Sequence, residues 1–250
     1  MLELYRKQIA HEFENCITRT IARLEHSDTH RPFHSALLSE QALFWSRFER
    51  SFSTSFGQGA IERISKLMAL AGGATEACNQ KETYVSLSRG QLAAIDAHVA
   101  SLREGGLGRA PNWDLDLAAA QYRVAETAEE RRVISDLWWV KDGKNHYMSI
   151  KTVKPNIDQT AEAKRDLLKL KIHDPTADVY FGLYYNPYGE NKTDYAWTPP
   201  MGVFDFRNDQ VVLIGRGYWD TLGGNGAYEE VLEIAEEVGA RTRARLDELR

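Results

Sequence analysis

The 250-residue chain carries 31 Lys and Arg against 36 Asp and Glu, a formal net charge of −5, which excludes a generic nucleic-acid coat protein held by a large positive excess. Its composition is 43% apolar, yet no run approaches the ~18 consecutive apolar residues of a membrane-spanning helix, and the opening MLELYRKQIAHEFEN holds no signal-peptide core. Cys16 and Cys78 stand far apart with no CxxC companion, which excludes a disulfide scaffold or thiolate zinc finger and leads us to expect a reducing, cytoplasmic home.

In chain order, Ile9, Phe13, Cys16 or Ile17, Thr20 or Ile21 and Leu24 recur at helical spacing and predict a first helix. A second amphipathic helix is predicted from about His34 to Phe48, beyond the break at Pro32. Ser55-Phe-Gly-Gln58 has the spacing of a capping box and predicts a third helix, with Ile61, Ile64, Met68 and Ala71 as its buried stripe. Ser88 opens a fourth helix over 89–102 that stops at Glu104-Gly-Gly-Leu-Gly108; these glycines lack the Lys-Ser/Thr of a phosphate loop. His26, His30 and His34 repeat every four residues, but Pro32 interrupts any helix that would align them as metal ligands, so a loop is the better reading.

After about residue 130 the period changes. Residues 133–141 and 144–153 flank Asp142-Gly143, the pair a two-residue type I′ hairpin prefers because both positions take positive φ. That turn sets a register in which Asp136 lies opposite Ser149 and Ile134 opposite Lys151, so Asp136, Ser149 and Lys151 share one sheet face. Asn156 caps a helix over about 158–172, strands follow at 178–185 and 211–214, and a last helix carries Tyr228, Val231, Leu232, Ala235 and Val238. This order predicts a single α/β domain with a mixed sheet.

Two features point to chemistry. Between Lys144 and Lys171 seven Lys or Arg face three acids, which suggests either an anionic ligand or a solvated helix face of mixed charge. An Asp and a Lys on one face of a hairpin are also suited to phosphodiester hydrolysis, the carboxylate holding Mg²⁺ and the lysine orienting water; the plain alternative is a cross-strand charge pair. The Tyr185, Asn186 and Tyr188 segment either enters a DNA groove or is simply an Asn-Pro turn.

Asp136, Ser149-Ile150-Lys151, then KTVKPN (151–156), Gln159, AKR (163–165), YYNPYG (184–189), Tyr195-Ala-Trp197 and YWDTLGGNGAYEEVLEIAEEVG (218–239) together resemble a type II restriction endonuclease family. That family belongs to the PD-(D/E)XK superfamily, and its characterised members cut GGNCC-like sites. SFSTSFGQGAIERI (51–64) resembles its N-terminal active-site helix. The resemblance implies an αβββαβ core over 56–215, an N-terminal helical elaboration over 1–55 and a C-terminal helix over 216–250. It implies Mg²⁺-dependent cleavage of double-stranded DNA at a short palindromic site by a homodimer, with a cognate DNA methyltransferase as functional partner. Asp136 and Lys151 are the catalytic pair so implied. Ser149 stands where an acid is usual, and the missing carboxylate is assigned to Glu162, otherwise a surface partner of Lys169 or Arg165, with Glu62 as supporting acid or plain surface residue. Lys154, Asn156, Gln159 and Lys164 are expected to meet DNA alongside the tyrosine segment. A DNA-binding protein of the same fold that cuts poorly, or a repair or structure-selective nuclease, are the alternatives.

Overall fold

The N-terminal apolar spacing folds as α1 (Glu3–Glu25) in the computed structural model, which describes residues 2–25, 30–121 and 127–247. Pro32 begins the short α2 (Pro32–Leu37), and Ser39, whose Oγ accepts the Ala42 N–H at 3.2 Å, caps α3 (Glu40–Ser55). The expected capping box at Ser55 is absent. Ser55 is itself helical (φ −68°, ψ −37°) and donates to the Ser51 carbonyl, because α3 passes through one wide turn at 56–60 into α4 (Ile61–Ala71). Two glycines, Gly57 and Gly59, ease that turn.

The next element, β1 (Glu76–Ser88), is absent from the elements that spacing predicts, although the αβββαβ core implied by the resemblance calls for a strand ahead of the hairpin. Ser88 and Gln91 then form a capping box for α5 (Arg89–Glu104), which ends where Gly105 takes φ +70°, as the glycine run predicts. Asn112 caps α6 (Trp113–Ala120) before the hairpin of β2 (Ala128–Lys141) and β3 (Lys144–Lys151). Asp142 and Gly143 have φ of 52° and 71°, the two positive angles that the turn demands. Next come α7 (Ile157–His173), capped by Asn156, β4 (Asp178–Leu183), β5 (Val212–Ile214) and two closing helices rather than one, α8 (Arg216–Gly223) and α9 (Ala227–Asp247).

The five strands form one mixed sheet in the order β1-β2-β3-β4-β5, antiparallel up to β3 and parallel from β3 to β5. The β3–α7–β4 crossover makes the parallel pair. Val133, Tyr147, Val179, Phe181 and Val212 of the sheet share a core with Ala163, Leu167 and Leu170 of α7 and with Ile95 and Val99 of α5. This α/β architecture, a mixed sheet with additional N- and C-terminal helices, is the class the sequence predicts.

Two compact units result: residues 68–228, which hold the sheet, and residues 1–67 with 229–250, which are helical. Within the helical unit, Arg6 of α1 pairs with Glu237 at 2.6 Å and Glu233 at 3.2 Å of α9.

A buried polar centre fixes α7. Lys164 is 0% exposed and donates to Asp116 Oδ2 at 2.7 Å and to the Val203 carbonyl at 3.1 Å. Asp116, also fully buried, accepts from Arg109 at 2.6 Å and from the Asn112 N–H at 3.1 Å, and His98 Nε2 lies 3.0 Å away. Burial alone raises the Asp116 pKa, but Lys164, Arg109 and His98 outweigh it and hold the carboxyl below its ordinary value. Lys164 is therefore not a DNA contact, because an ammonium enclosed beneath α6 and Phe204 does not reach a phosphate.

Candidate active site

The β2–β3 ladder keeps the predicted register from Lys141↔Lys144 to Leu137↔Met148 and stops there. Beyond it β2 stays paired with β1 while β3 continues beside β4, so the two strands part. Asp136 is the first β2 residue past the last rung. Its Oδ2 accepts the Ile150 backbone N–H at 2.7 Å, Lys151 Nζ at 3.1 Å and Ser149 Oγ at 3.3 Å. A side-chain carboxylate thus receives a strand N–H that the ladder no longer serves. The predicted Asp136–Ser149–Lys151 cluster is present, but Ile134 does not pair with Lys151, since the strands have already diverged.

The other carboxylate oxygen, Oδ1, accepts Gln80 Nε2 at 3.4 Å. Gln80 lies in β1 with φ +51°, a left-handed conformation that a residue with a side chain rarely adopts inside a strand. Asn79 Nδ2 donates to the Asp136 carbonyl at 3.2 Å. Two consecutive β1 side chains therefore brace the aspartate, and neither is recognisable from sequence without the strand that carries them.

Asp136, Ser149, Lys151 and Gln80 line a cleft of about 350 Å³, with Arg132 on β2 and with Glu162 and Asp166 on α7. Glu162 is exposed at the cleft, two positions from the buried Lys164; two helical steps turn about 200°, so the buried lysine and the acid point to opposite sides of α7. Asp166 pairs with Lys169 at 2.9 Å, and Arg132 with Glu82 at 3.0 Å. Glu62 is half-buried in the first turn of α4, within the helical unit.

The side chains facing the cleft from β2, β3 and α7 offer carboxylate and hydroxyl oxygens, the hard donors suited to Mg²⁺. No group of three His, Cys, Asp or Glu among the described residues is gathered closely enough to hold an ion alone. His26 lies outside the described residues, and His30 and His34 join no such group.

The remaining expected contacts are spread around β3, α7 and the loop after β4. Lys154 is exposed, its Nζ 5.4 Å from the Tyr188 ring and 5.6 Å from the Trp197 ring. Asn156 and Gln159 are exposed but form the reciprocal capping box of α7, which occupies their side-chain carbonyls and leaves donor capacity on their amide nitrogens. Asn186 is a turn residue: Nδ2 donates to the Asn191 carbonyl at 2.7 Å and Oδ1 accepts the Tyr188 N–H at 3.0 Å. Tyr185 and Tyr188 flank it, both exposed.

The basic window from 144 to 171 is largely committed internally. Lys144 pairs with Asp178, Lys151 with Asp136, Lys164 with Asp116, Arg165 with Asp96 and Lys169 with Asp166, while Lys171 donates to the Pro175 and Ala177 carbonyls. Most of the window's charge is thus met by acids and carbonyls of the protein itself, with Lys154 exposed beside them.

An acid and a lysine on parting strands beside an acid-bearing helix suit metal-assisted hydrolysis. Comparison with known proteins gives that class its identity: the family profile described as "Type II restriction endonuclease, HinfI" matches residues 3–239. The chain therefore belongs to the HinfI family of type II restriction endonucleases and is a site-specific deoxyribonuclease. It is similar to the type II restriction enzymes HgiEI and HgiCII of Herpetosiphon aurantiacus, 29% and 28% identical over 98% and 95% of this chain and 90% and 88% of theirs. HgiBI of the same organism is 28% identical over 98% of this chain and 90% of its own length. No solved structure matches. Among the described residues, no helix is long and apolar enough to cross a membrane.

Proposed function

We propose that this endonuclease hydrolyses double-stranded DNA at a short palindromic, GGNCC-like site with Mg²⁺, using a PD-(D/E)XK-type centre in which Asp136 and Glu162 hold the metal and Lys151 acts on water. The observation that carries the reading is the grip on Asp136 Oδ2 by Ile150 N–H, Lys151 Nζ and Ser149 Oγ at the mouth of a cleft walled by Glu162. Those bonds fix the carboxylate and bring the lysine ammonium to it without any residue between them.

Bound Mg²⁺ supplies Lewis acidity toward a phosphoryl oxygen and makes coordinated water more acidic. The protein's own part is positional. Asp136 on its strand and Glu162 on its helix would hold the ion, Ser149 hydrogen-bonds Asp136 in place of a second strand carboxylate, and Lys151 would orient the attacking water and balance charge on the phosphate. Glu62 is a supporting acid in this reading, and Lys154, Asn156, Gln159, Tyr185 and Tyr188 are contacts to DNA backbone or bases. Twofold symmetry of a palindrome calls for a homodimer, and a host carrying such a nuclease needs a cognate methyltransferase to shield its own sites.

The test is digestion of a long DNA with Mg²⁺, sequencing of the fragment ends, and the same assay on Lys151→Ala. Discrete ends at one palindromic sequence are expected, with cleavage reduced about 10²–10⁴-fold in the variant while specific binding persists. Random ends, or undiminished cutting by Lys151→Ala, refute the assignment.

A further inference from the structure

Among the described residues that line the catalytic cleft, Lys151 and Arg132 are the cations, set against the carboxylates of Asp136, Glu162 and Asp166. Lys151 donates to Asp136 at 3.1 Å and so is committed at that end of the cleft. Arg132 stands at the other. Arg132, Ile134 and Asp136 alternate along β2, share one face of it and all line the cleft. At about 3.3 Å per residue of strand, the Cα atoms of Arg132 and Asp136 lie roughly 13 Å apart.

The arginine is held only lightly. Its Nη1 donates to Glu82 Oε1 at 3.0 Å, with 54% of the arginine side chain and 48% of the glutamate exposed. Tyr84 of β1 lies opposite Arg132 and Glu82 opposite Ile134, so the ion pair is a diagonal one between the edge strand and its neighbour. Exposed pairs of this kind contribute little to stability, because water screens them and two long side chains must be held still. Stapling β1 to β2 is therefore a weak reason for an arginine at this place. A guanidinium carries five N–H donors in a planar fork that matches two phosphate oxygens at once, and phosphate can replace Glu82 as its partner.

One strand of a duplex carries a phosphate for every ~3.4 Å of helix axis, so the ~13 Å from Asp136 to Arg132 spans about three or four of them. We propose that Arg132 binds a phosphate of the cleaved DNA strand about two to four nucleotides from the scissile bond, exchanging Glu82 for it as the duplex seats. The proposal deepens the Asp136 reading and rests on it. Glu82 is then the counter-ion of the DNA-free enzyme and an opponent of binding. A contact of this type fixes the register of the backbone and reads no base. Held at the Arg132 end, the DNA strand brings its scissile phosphodiester to Asp136 and Lys151.

The experiment measures binding without Mg²⁺, and single-turnover cleavage with it, for full-length wild type, Arg132→Ala, Arg132→Lys, Glu82→Gln and the double variant Arg132→Ala/Glu82→Gln. The duplexes are cognate, with single methylphosphonates neutralising successive phosphates around the mapped cut. Arg132→Ala is expected to weaken binding about tenfold, the effect of one hydrogen bond to a charged group, and to make the slope of log K against log salt shallower by about 0.9. The methylphosphonate that wild type feels about two to four nucleotides from the cut should cost this variant nothing further, since both changes remove one contact. Arg132→Lys keeps the charge and is expected to recover the salt slope but not the full affinity, because an ammonium lacks the fork. Glu82→Gln is expected to act in the opposite direction, tightening binding about two- to fivefold, and to lose that effect in the double variant. It opens the same ion pair while keeping the arginine, so it decides even where Arg132→Ala fails to fold: unchanged or weaker binding by Glu82→Gln overturns the proposal. Losses of the same sign in both single variants, with every methylphosphonate effect retained, mark a strand staple and overturn it too. Arg132→Ala that binds as wild type while Lys151→Ala fails to cut overturns it and leaves the Asp136 centre standing. Undiminished cutting by Lys151→Ala removes that centre, and the proposal with it.

Discussion

Replacing Lys164 by methionine separates a structural ammonium from a DNA contact. The side chain is 0% exposed and bonds to Asp116 and the Val203 carbonyl, so the variant strands part of a buried carboxylate's charge. Breaking a buried ion pair by removing one partner costs about 3–5 kcal/mol. Lys164→Met belongs at the low end, about 3 kcal/mol, because Arg109 at 2.6 Å and His98 at 3.0 Å still serve Asp116. Asp116→Asn belongs at the high end, about 5 kcal/mol, since it leaves Lys164 enclosed with a carbonyl and an amide oxygen. At roughly 2–4 °C per kcal/mol for a chain of this size, the midpoints fall by about 6–12 °C and 10–20 °C. The two residues are partners, so the double variant should lose less than the sum. Thermal and urea unfolding of the three proteins measure this. Stability matching wild type in Lys164→Met, with a shallower salt slope of DNA binding, refutes the burial argument and restores the lysine to the DNA surface.

Glu162→Gln keeps size and hydrogen bonding but loses charge, so Mg²⁺ affinity and cleavage should fall together by about 10–100-fold, with Glu62→Gln costing less; titration of cleavage against Mg²⁺ decides, and the reverse order moves the essential acid to α4. Gln80→Gly removes a left-handed side chain, a relief of about 1 kcal/mol, against a similar entropic cost of glycine, so stability should stay within about 0.5 kcal/mol of wild type. Loss of its bond to Asp136 should still slow cleavage about three- to tenfold, and an unchanged rate removes Gln80 from the site. Acidification should destabilise the fold through Asp116: its folded-state pKa lies below the ordinary 3.8, so its contribution is complete above that value and is lost as pH falls through the folded one. Unfolding free energy measured from pH 6 down to ~2 in wild type and Asp116→Asn checks the sign, and equal slopes contradict it.

The parts legible in sequence are those whose signal is local. Asp142-Gly143 specifies its turn, the turn specifies the register, and the register brings Asp136 to Ser149 and Lys151. Asn156 announces α7 in the same way, whereas the reciprocal bond from Gln159 emerges only in the structure. β1 is hidden because it is an edge strand whose inner face is only half-buried from Ala77 to Thr83 while the other face is exposed; full burial begins at Val85. The start of the third predicted helix is misplaced because a capping pattern at Ser55 carries no information about whether the preceding helix has ended. Lys164 is not recognisable as buried because its partner lies 48 residues away, on an element that local sequence signals do not reveal.

The burial of Lys164 bears on the chemistry through α7. A nuclease with its second acid on the strand would fix both carboxylates through one sheet, whereas here Ser149 occupies that strand position and Glu162 reaches the cleft from a helix. The position of that acid then depends on the rotation of α7 about its own axis. A turn of one residue, about 100°, would carry Glu162 away from the cleft. The sheet restrains this only at the far end of α7, where His173 Nδ1 accepts the Ser86 N–H of β1 at 3.1 Å, since α7 contributes no rung to the ladder. The Lys164–Asp116 pair resists it, because turning α7 would pull a charged group away from its buried partners on the opposite side of the helix. Apolar packing by Leu167 and Leu170 tolerates small rotations that a charge bonded at 2.7 Å does not. If Glu162 is the relocated acid, the buried pair is what makes a helix as dependable a platform for it as the strand, and the metal dependence of cleavage should degrade in Lys164→Met even in molecules that remain folded.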